Sequence, residues 1–257
     1  YVINRTGARS KEVALTFDDG PDETWTPQIL AELERLHAPA TFFVIGEDAL
    51  AHPDMLRRMV ADGDEIGNHS YTHPNMAEEP PLGAKLEINA TQRLIEAYSG
   101  RSTRLFRAPY FGDAEPTTAD ELGPALIAQQ RGYTIVGLHV DAEDWQRPGV
   151  AKIISNVLTE VAHPTTDRSE NVVLLHDGGG NRAQTVAALP QIIAGLRQAG
   201  YRIVPLSQLI GVPHDTLMPV VSGPALLSVR LDVSVFLLLA GFDYVIRFLF
   251  FVAIRSE

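Results

Sequence analysis

The chain has 257 residues, enough for one large α/β domain or two small ones with a complete hydrophobic core. Its formal net charge of −11 argues against a nucleic-acid partner, which needs a basic face, and against electrostatic docking on anionic lipid. The lack of cysteine excludes disulfide bonds and thiolate chemistry.

Short apolar runs alternate with segments of helical pattern over most of the chain. The predicted strands are Val13–Phe17, Ala40–Ile45, Glu65–Gly67, Leu105–Arg107, Thr134–Val140, Val172–Leu175 and Arg202–Val204. The predicted helices are Pro27–His37 (with Thr26 as its N-cap), Pro53–Ala61, Leu82–Tyr98, Ala119–Arg131, Val150–Ala162 and Gln184–Ala199. This repeated strand–helix order predicts a parallel sheet with right-handed crossovers.

The regular pattern stops near Leu209. Residues 211–232 include GVPHDTLMPVVSGP, which is rich in proline and glycine and predicts a linker. From Val233 to Ile254 the composition is almost entirely Leu, Phe, Val and Ile. A helix of that length spans a bilayer core of about 30 Å, so we expect a membrane segment although Asp243 and Arg247 lie inside it. The alternative is an apolar helix packed on the domain or between chains.

Ionisable side chains follow five of the seven predicted strands. In closed parallel barrels the catalytic groups lie on the loops that follow the strands, so we expect these side chains at one rim. They are Asp18 and Asp19 after the first strand, His69 and His73 after the third, Arg107 at the end of the fourth, Asp141 and Asp144 after the fifth (with the aromatic Trp145 beside them), and His176 and Asp177 after the sixth. Together they predict a polar site.

His69 and His73 are four residues apart in NHSYTH, a spacing that places both imidazoles on one side of a helical turn, within reach of one metal ion. A carboxylate from Asp18 or Asp19 would complete a set of two histidines and one carboxylate, with open positions for water and substrate. The alternative is a pair of loop histidines bonded to the backbone. Zinc is the default metal for hydrolysis, and cobalt, nickel, iron and manganese also suit these ligands.

The adjacent carboxylates of ALTFDDGP indicate a division of labour. Successive side chains near a strand end point in opposite directions, so one aspartate can bind the metal while the other takes a proton from the attacking water. Metal binding would also offset the repulsion between the two charges. The alternative is a solvated acidic turn before Gly20 and Pro21.

The remaining candidates each have a catalytic and a structural interpretation. His176 could protonate a leaving amine with Asp144 orienting its imidazole, or it could be a satisfied core histidine. Arg107 could hold Asp18 ionised or form a surface ion pair. Trp145 could wall a small apolar pocket or belong to the core. We interpret the other candidates as structural or solvated, namely His37, His52, His139, His163, His214, Asp141 and Asp177.

Together these residues resemble the polysaccharide deacetylases, carbohydrate esterase family 4, also called the chitooligosaccharide deacetylase domain. Five motifs occur in order over residues 10–210, namely TFDDGP, NHSYTH, RAPY, DAEDW and LLHD. ATFFVIG and GDEIGNHSYTHP are also similar to the family. The resemblance implies an α/β fold, a distorted parallel (β/α) barrel of about seven strands. It also implies a hydrolase that uses a divalent metal ion, by default Zn²⁺, to remove N-acetyl groups from GlcNAc-type polymers.

The resemblance implies a role for each matching residue. Asp19, His69 and His73 would bind the metal. Asp18 would be the base and His176 the acid. Each of these positions has the residue type that the family motif requires.

Further residues would support these groups. Asp144 would tune the acid, and Arg107 would position the base. The backbone N–H of Tyr110 would help to hold the oxyanion, while Trp145 and Leu174 would line the acetyl pocket.

A narrower likeness concerns DWQRPG, LLHDGGGNRAQT and the MP after the last predicted helix. They are similar to the deacetylase module of large bacterial proteins, where it lies between a glycoside-hydrolase-like domain and a membrane-embedded glycosyltransferase. Such a fusion would account for the apolar segment and for the opening YVINRTGARSKEV, which lacks a signal-peptide core. We therefore expect an extracytoplasmic, membrane-tethered protein that acts on a GlcNAc polysaccharide or oligosaccharide.

Two alternative functions stay open. One is the same machinery acting on another amide or ester, such as peptidoglycan, acetylated xylan or a small amide. The other is a non-catalytic carbohydrate-binding module with a relict site. The motifs specify the bond that is cleaved but not the substrate polymer that carries it. Acetate release across a panel of substrates therefore distinguishes the first alternative. The intact base, acid and ligand positions argue against the second.

Overall fold

The computed structural model describes residues 2–3, 11–110, 119–163 and 172–238. Its strands are β1 (Val2–Ile3), β2 (Glu12–Gly20), β3 (Ala40–Val44), β4 (Glu65–Asn68), β5 (Leu105–Phe106), β6 (Thr134–Val136), β7 (Val140–Asp141), β8 (Val172–His176) and β9 (Arg202–Ile203). Its helices are α1 (Thr26–Leu36), α2 (Gly46–Ala51), α3 (Pro53–Asp62), α4 (Pro81–Ser99), α5 (Ala119–Gln130), α6 (Val150–Ala162), α7 (Ala183–Gln198), α8 (Leu206–Leu209) and α9 (His214–Leu217). A 3₁₀ turn covers Asp144–Gln146, and residues 223–238 are also helical.

The strands form one parallel sheet in the order β1-β6-β5-β4-β3-β2-β8-β7, and β9 pairs with β2. Helices pack against this sheet to form the main hydrophobic core. The chain is therefore an α/β half-barrel of parallel strands. The predicted α/β class with parallel strands is confirmed, the architecture is consistent with a distorted (β/α) barrel, and each of the seven predicted strands has a counterpart.

The predicted strand Thr134–Val140 is two strands at opposite ends of the sheet: β7 is one edge strand, and β6 lies next to β1, the strand at the other edge. β6 pairs with β5, whereas β7 pairs with β8. Four Cα–Cα steps join Val136 at the end of β6 to Val140 at the start of β7, so these two strands come within about 15 Å of each other. At this break Arg107 donates hydrogen bonds to the carbonyl oxygens of Val136 (3.3 Å) and Gly137 (3.0 Å). The sheet curves around the guanidinium.

Alternation along β2 separates an outer core from the barrel interior. Leu15 and Phe17 belong to the core that contains residues of α1, α6 and α7. Thr16 and Asp18 have the opposite orientation, and both accept hydrogen bonds from Arg107. Because strand side chains alternate with period two, the apolar residues anchor β2 and the polar ones reach the interior.

The predicted N-cap of the first helix is wrong. Trp25 precedes α1 and Thr26 is its first residue, without a side-chain cap. The Thr26 hydroxyl instead donates to Oδ2 of buried Asp177 at 2.5 Å and accepts from the Asp22 N–H at 2.7 Å. A buried carboxylate competes successfully for this hydroxyl.

The segment expected to be a linker, 211–232, packs on the barrel. Leu217 and Met218 are buried, and the Ile66 N–H lies 3.2 Å from the Met218 sulfur. The backbone N–H of Arg104 donates to the carbonyl of Leu217 at 2.8 Å. Leu217 and Met218 therefore belong to the hydrophobic core, although the segment around them is rich in proline and glycine.

Val233, expected to begin a membrane segment, is buried against α4 together with Val229. In the described ranges, no helix has both the length and the apolar character needed to cross a membrane. Most of the predicted segment, residues 239–254, lies outside the described residues. Val229 and Val233 thus pack the helix of residues 223–238 against the domain.

Candidate active site

A cleft of about 550 Å³ opens at the carboxyl ends of the strands. Nine of the sequence-predicted residues line it: Asp18, Asp19, His69, His73, Arg107, Tyr110, Trp145, Leu174 and His176. The tenth, Asp144, is buried directly behind His176. The structure thus brings all ten together.

Three side chains form a compact donor cluster. Asp19 Oδ1 lies 3.1 Å from His73 Nε2 and 3.4 Å from His69 Nε2. One ligand atom from each residue lies within 4.8 Å of the others. His69 Nδ1 is 2.8 Å from the carbonyl oxygen of Arg107; because a carbonyl only accepts, Nδ1 carries a proton, and Nε2 is the nitrogen that faces the cleft. The cluster therefore fits a divalent metal.

The charges of the cluster agree with this fit. Burial alone would raise the pKa of Asp19, but hydrogen bonds from His69 and His73 and the charges of His69 and His176 outweigh it and hold that pKa well below its ordinary range. Burial opposes charge on His69 as well, yet the neighbouring Asp18 and Asp19 raise its pKa. Carboxylates packed against imidazoles in this way favour a bound cation, either protons or a metal ion.

The backbone at Asp19 departs from the expected strand geometry. Asp18 pairs with Phe43 and Gly20 with Val44, so Asp19 is an extra, bulged residue, and its φ is 72°. Strand alternation would send the two carboxylates in opposite directions. The bulge instead brings both towards His69, whose Nε2 is 3.8 Å from Asp18 Oδ2 and 3.4 Å from Asp19 Oδ1.

Asp18 and Arg107 form a buried ion pair. Arg107 Nη1 donates to Asp18 Oδ1 at 2.7 Å and to Thr16 Oγ1 at 3.0 Å, and both members of the pair are almost fully buried. The guanidinium also lies over the Phe43 ring, 4.2 Å from its centroid. Oδ1 of Asp18 is thereby committed to the arginine, while Oδ2 faces the cluster.

His176 and Asp144 form a second charged pair. Asp144 Oδ1 lies 2.7 Å from His176 Nδ1, and Oδ2 accepts the Thr185 hydroxyl at 2.7 Å and the His176 N–H at 3.0 Å. Burial lowers the pKa of His176, but the hydrogen bond and charge of Asp144 outweigh it and raise that pKa. The carboxylate holds the ring so that Nε2 can face the cleft.

Aromatic and apolar side chains border these groups. Tyr110 and Trp145 are 68% and 53% exposed, so both stand at the mouth of the cleft, whereas Leu174 is buried deeper. The Tyr110 ring meets the His73 ring edge-on, with 4.8 Å between centroids. Tyr110 also has a positive φ of 64°.

Sequence reasoning missed some of the lining. Asp141, interpreted there as structural or solvated, lines the cleft together with Leu138, Gly179 and Arg182. Burial raises the pKa of Asp141. Arg182 and Gly179 lie within LLHDGGGNRAQT, so the available signal was their place directly after a strand whose end carries His176.

Comparison with known proteins agrees with this geometry. A family model described as polysaccharide deacetylase matches residues 5–134. The peptidoglycan-N-acetylglucosamine deacetylase of Bacillus cereus is 36% identical over 216 residues, which cover 83% of this chain and 95% of that protein. The chitooligosaccharide deacetylase of a Bradyrhizobium species is 39% identical over 216 residues, covering 79% of this chain and 92% of that one.

A solved structure shows the same fold. The crystal structure of the Bc1960 peptidoglycan N-acetylglucosamine deacetylase is similar with a TM-score of 0.70 and 33% identity, covering 80% of this chain and 90% of that one. Sequence and fold therefore agree with the resemblance found in the motifs. The chain belongs to the polysaccharide deacetylase family.

Proposed function

We propose that this protein hydrolyses the N-acetyl groups of GlcNAc-containing glycans and releases acetate. The observation that carries the proposal is the convergence, in one cleft, of a metal-ligand cluster, a buried aspartate–arginine pair and a histidine–aspartate pair. Membership of the polysaccharide deacetylase family and the substrates named for the two curated relatives support it.

Asp19, His69 and His73 would hold one divalent ion, with Zn²⁺ the first candidate and Co²⁺, Ni²⁺, Fe²⁺ and Mn²⁺ also compatible. Such an ion polarises the amide carbonyl and makes water a better nucleophile. The proton on His69 Nδ1 is held by the Arg107 carbonyl, which keeps Nε2 available as a ligand.

Asp18 acts as the general base. The oxygen that faces the cluster, Oδ2, takes a proton from the attacking water, while Oδ1 stays bonded to Arg107. The arginine therefore fixes the orientation of the base and stabilises its charge. Water oxygen adds to the acetyl carbon, and the carbonyl oxygen becomes an oxyanion that the backbone N–H of Tyr110 helps to hold.

His176 acts as the general acid. Its raised pKa favours the protonated imidazole, with Asp144 bonded to Nδ1, so that Nε2 can protonate the leaving nitrogen as the C–N bond breaks. The products are acetate and a free amino sugar. Trp145 and Leu174 would enclose the acetyl methyl group.

A substrate panel tests the proposal. We expect acetate release from GlcNAc oligomers or from peptidoglycan, since the relatives are named for these two substrates. Release from acetylated xylan or a small amide alone would show that the same machinery serves another bond. Binding of glycans without acetate release by the metal-loaded protein would favour a carbohydrate-binding module.

We also propose that residues 239–254 tether the domain to a membrane. Their sequence is almost entirely apolar, and the helix that leads to them has exposed apolar residues at Leu227, Leu231 and Val235. In a flotation assay with vesicles of neutral phosphatidylcholine, the full chain should float together with the vesicles. A chain that ends at Leu238 should stay in the aqueous fraction. A full chain that stays in the aqueous fraction would contradict the tether. Fusion to a glycosyltransferase stays a prediction from the sequence motifs.

A further inference from the structure

The loop between β8 and α7 touches the metal-ligand cluster directly. A Cβ at Gly178 would lie 1.9 Å from the carbonyl oxygen of Asp19, so only glycine allows this approach. A Cβ at Gly179, whose φ is +70°, would lie 2.6 Å from Asp19 Oδ2. The GGGNR sequence that contains both glycines has no part in the proposed reaction steps, yet its backbone borders the main chain and carboxylate of Asp19.

One buried side chain holds this loop. Arg182 is 4% exposed; its Nε donates to the carbonyl oxygen of Gly178 at 2.6 Å, and its Nη2 donates to that of Gly179 at 2.9 Å. The planar guanidinium presents two N–H groups in a fixed geometry that matches two successive carbonyls. An ammonium group cannot reproduce that fork.

Asp19 needs support from its surroundings. Its positive φ is costly for a residue with a side chain and persists only where neighbouring groups fix it. Its Oδ1 faces the imidazoles of His69 and His73, whereas Oδ2 borders Gly179. Movement of the glycine turn would therefore let the carboxylate rotate away from the histidines.

We propose that Arg182 is a positioning residue for the metal site. It fixes the Gly178–Gly179 turn against Asp19, so that Oδ1 points at the two imidazoles. The inference rests on the proposed function, because it requires Asp19, His69 and His73 to bind a metal ion. Outer residues that orient metal ligands typically change metal affinity about 10–100-fold when they are replaced.

The first test replaces Arg182 with lysine, which keeps the charge and removes the fork. We expect Arg182→Lys to weaken Zn²⁺ binding about 10–100-fold in competition with a chromophoric chelator. The absorption spectrum of the Co²⁺-loaded variant should also change, because the ligand geometry changes. The control is Arg197→Lys in the last turn of α7, the helix that Arg182 precedes; its guanidinium bonds to the His37 carbonyl, outside the cleft, and its loss should leave Zn²⁺ affinity unchanged.

A second pair of variants tests the turn itself. Gly179→Ala and Gly200→Ala both place a side chain at positive φ, +70° and +82°, but nothing lies within 4 Å of the added Cβ at Gly200. Both variants therefore carry the same kind of backbone strain, but only the new Cβ at position 179 meets Asp19. We expect only Gly179→Ala to weaken Zn²⁺ binding. This comparison decides the question if Arg182→Lys does not fold.

The outcomes separate this inference from the proposed function. Zn²⁺ bound equally by the wild type, Arg182→Lys and Gly179→Ala, with one Co²⁺ spectrum for all three, would overturn the positioning role alone. A wild-type chain that binds no Zn²⁺ would overturn the proposed metal site, and this inference with it.

Discussion

Asp18 and Asp19 differ in what surrounds each carboxylate. Asp18 is paired with Arg107, and Asp19 lies against two imidazoles. The sequence predicts two roles for adjacent aspartates, but it attributes their separation to strand alternation. The structure instead has a bulge at Asp19 that turns both carboxylates towards His69, a backbone feature that depends on the neighbouring strand register and on the glycine turn after β8. The residue types at positions 18 and 19 carry little information about the strand register or about that turn.

Replacing each aspartate with asparagine should have a different effect. Asp18→Asn should keep the metal and lose about 10²-fold or more in rate, because the general base is gone. Asp19→Asn should weaken metal binding, since a ligand charge is lost. Elemental analysis together with acetate-release rates measures both effects. Equal loss of metal from the two variants would contradict the assigned roles.

His176 and Asp144 should set the alkaline limb of the pH–rate profile. A general acid must be protonated, so activity should fall as pH rises through the pKa of His176. Asp144 raises that pKa, and Asp144→Asn should therefore move the alkaline limb to lower pH. His176→Ala should abolish the limb with normal metal content. An alkaline limb that neither variant changes would exclude His176 as the acid.

At the scale of elements, periodicity predicts the regular strands and helices well. α6 has the predicted bounds, Val150–Ala162, and the buried strands β3 and β8 begin at the predicted residues. The sequence predictions fail where a contact between residues distant in sequence determines the local structure. One run divides into β6 and β7 because its two ends pair with different partners, and Thr26 bonds to Asp177 from another strand end. Local patterns cannot reveal such partners.

The segment 211–232 gives a further prediction at this scale. Met218 is fully buried, so Met218→Ala should lower the free energy of unfolding by about 2–5 kcal/mol through lost apolar contact and a cavity. Val220→Ala is the matched control, because Val220 is 61% exposed in the same segment. Urea denaturation of both variants measures the difference. A similarly small loss of stability in both variants would contradict the packing of Met218 and favour the predicted linker.

At the scale of the whole molecule, the parallel half-barrel explains why residues distant in sequence meet. Strand ends of β2, β4, β5 and β8 face one cleft, and each contributes an ionisable side chain. Ordered motifs at successive strand ends therefore predict the site better than any single residue does. Arg182 shows the limit of this reasoning, because its importance comes from two carbonyl groups and leaves no mark in composition or periodicity.

The central claim is that this site hydrolyses N-acetyl groups with a metal held by Asp19, His69 and His73. Mass spectrometry of a GlcNAc oligomer after incubation with Zn²⁺-loaded protein tests it most directly. We predict stepwise loss of acetyl groups with one acetate released for each, no loss after chelation, and recovery when Zn²⁺ is restored. An oligomer of unchanged mass after incubation with Zn²⁺-loaded protein, or equal deacetylation by protein shown by elemental analysis to lack metal, would contradict the account.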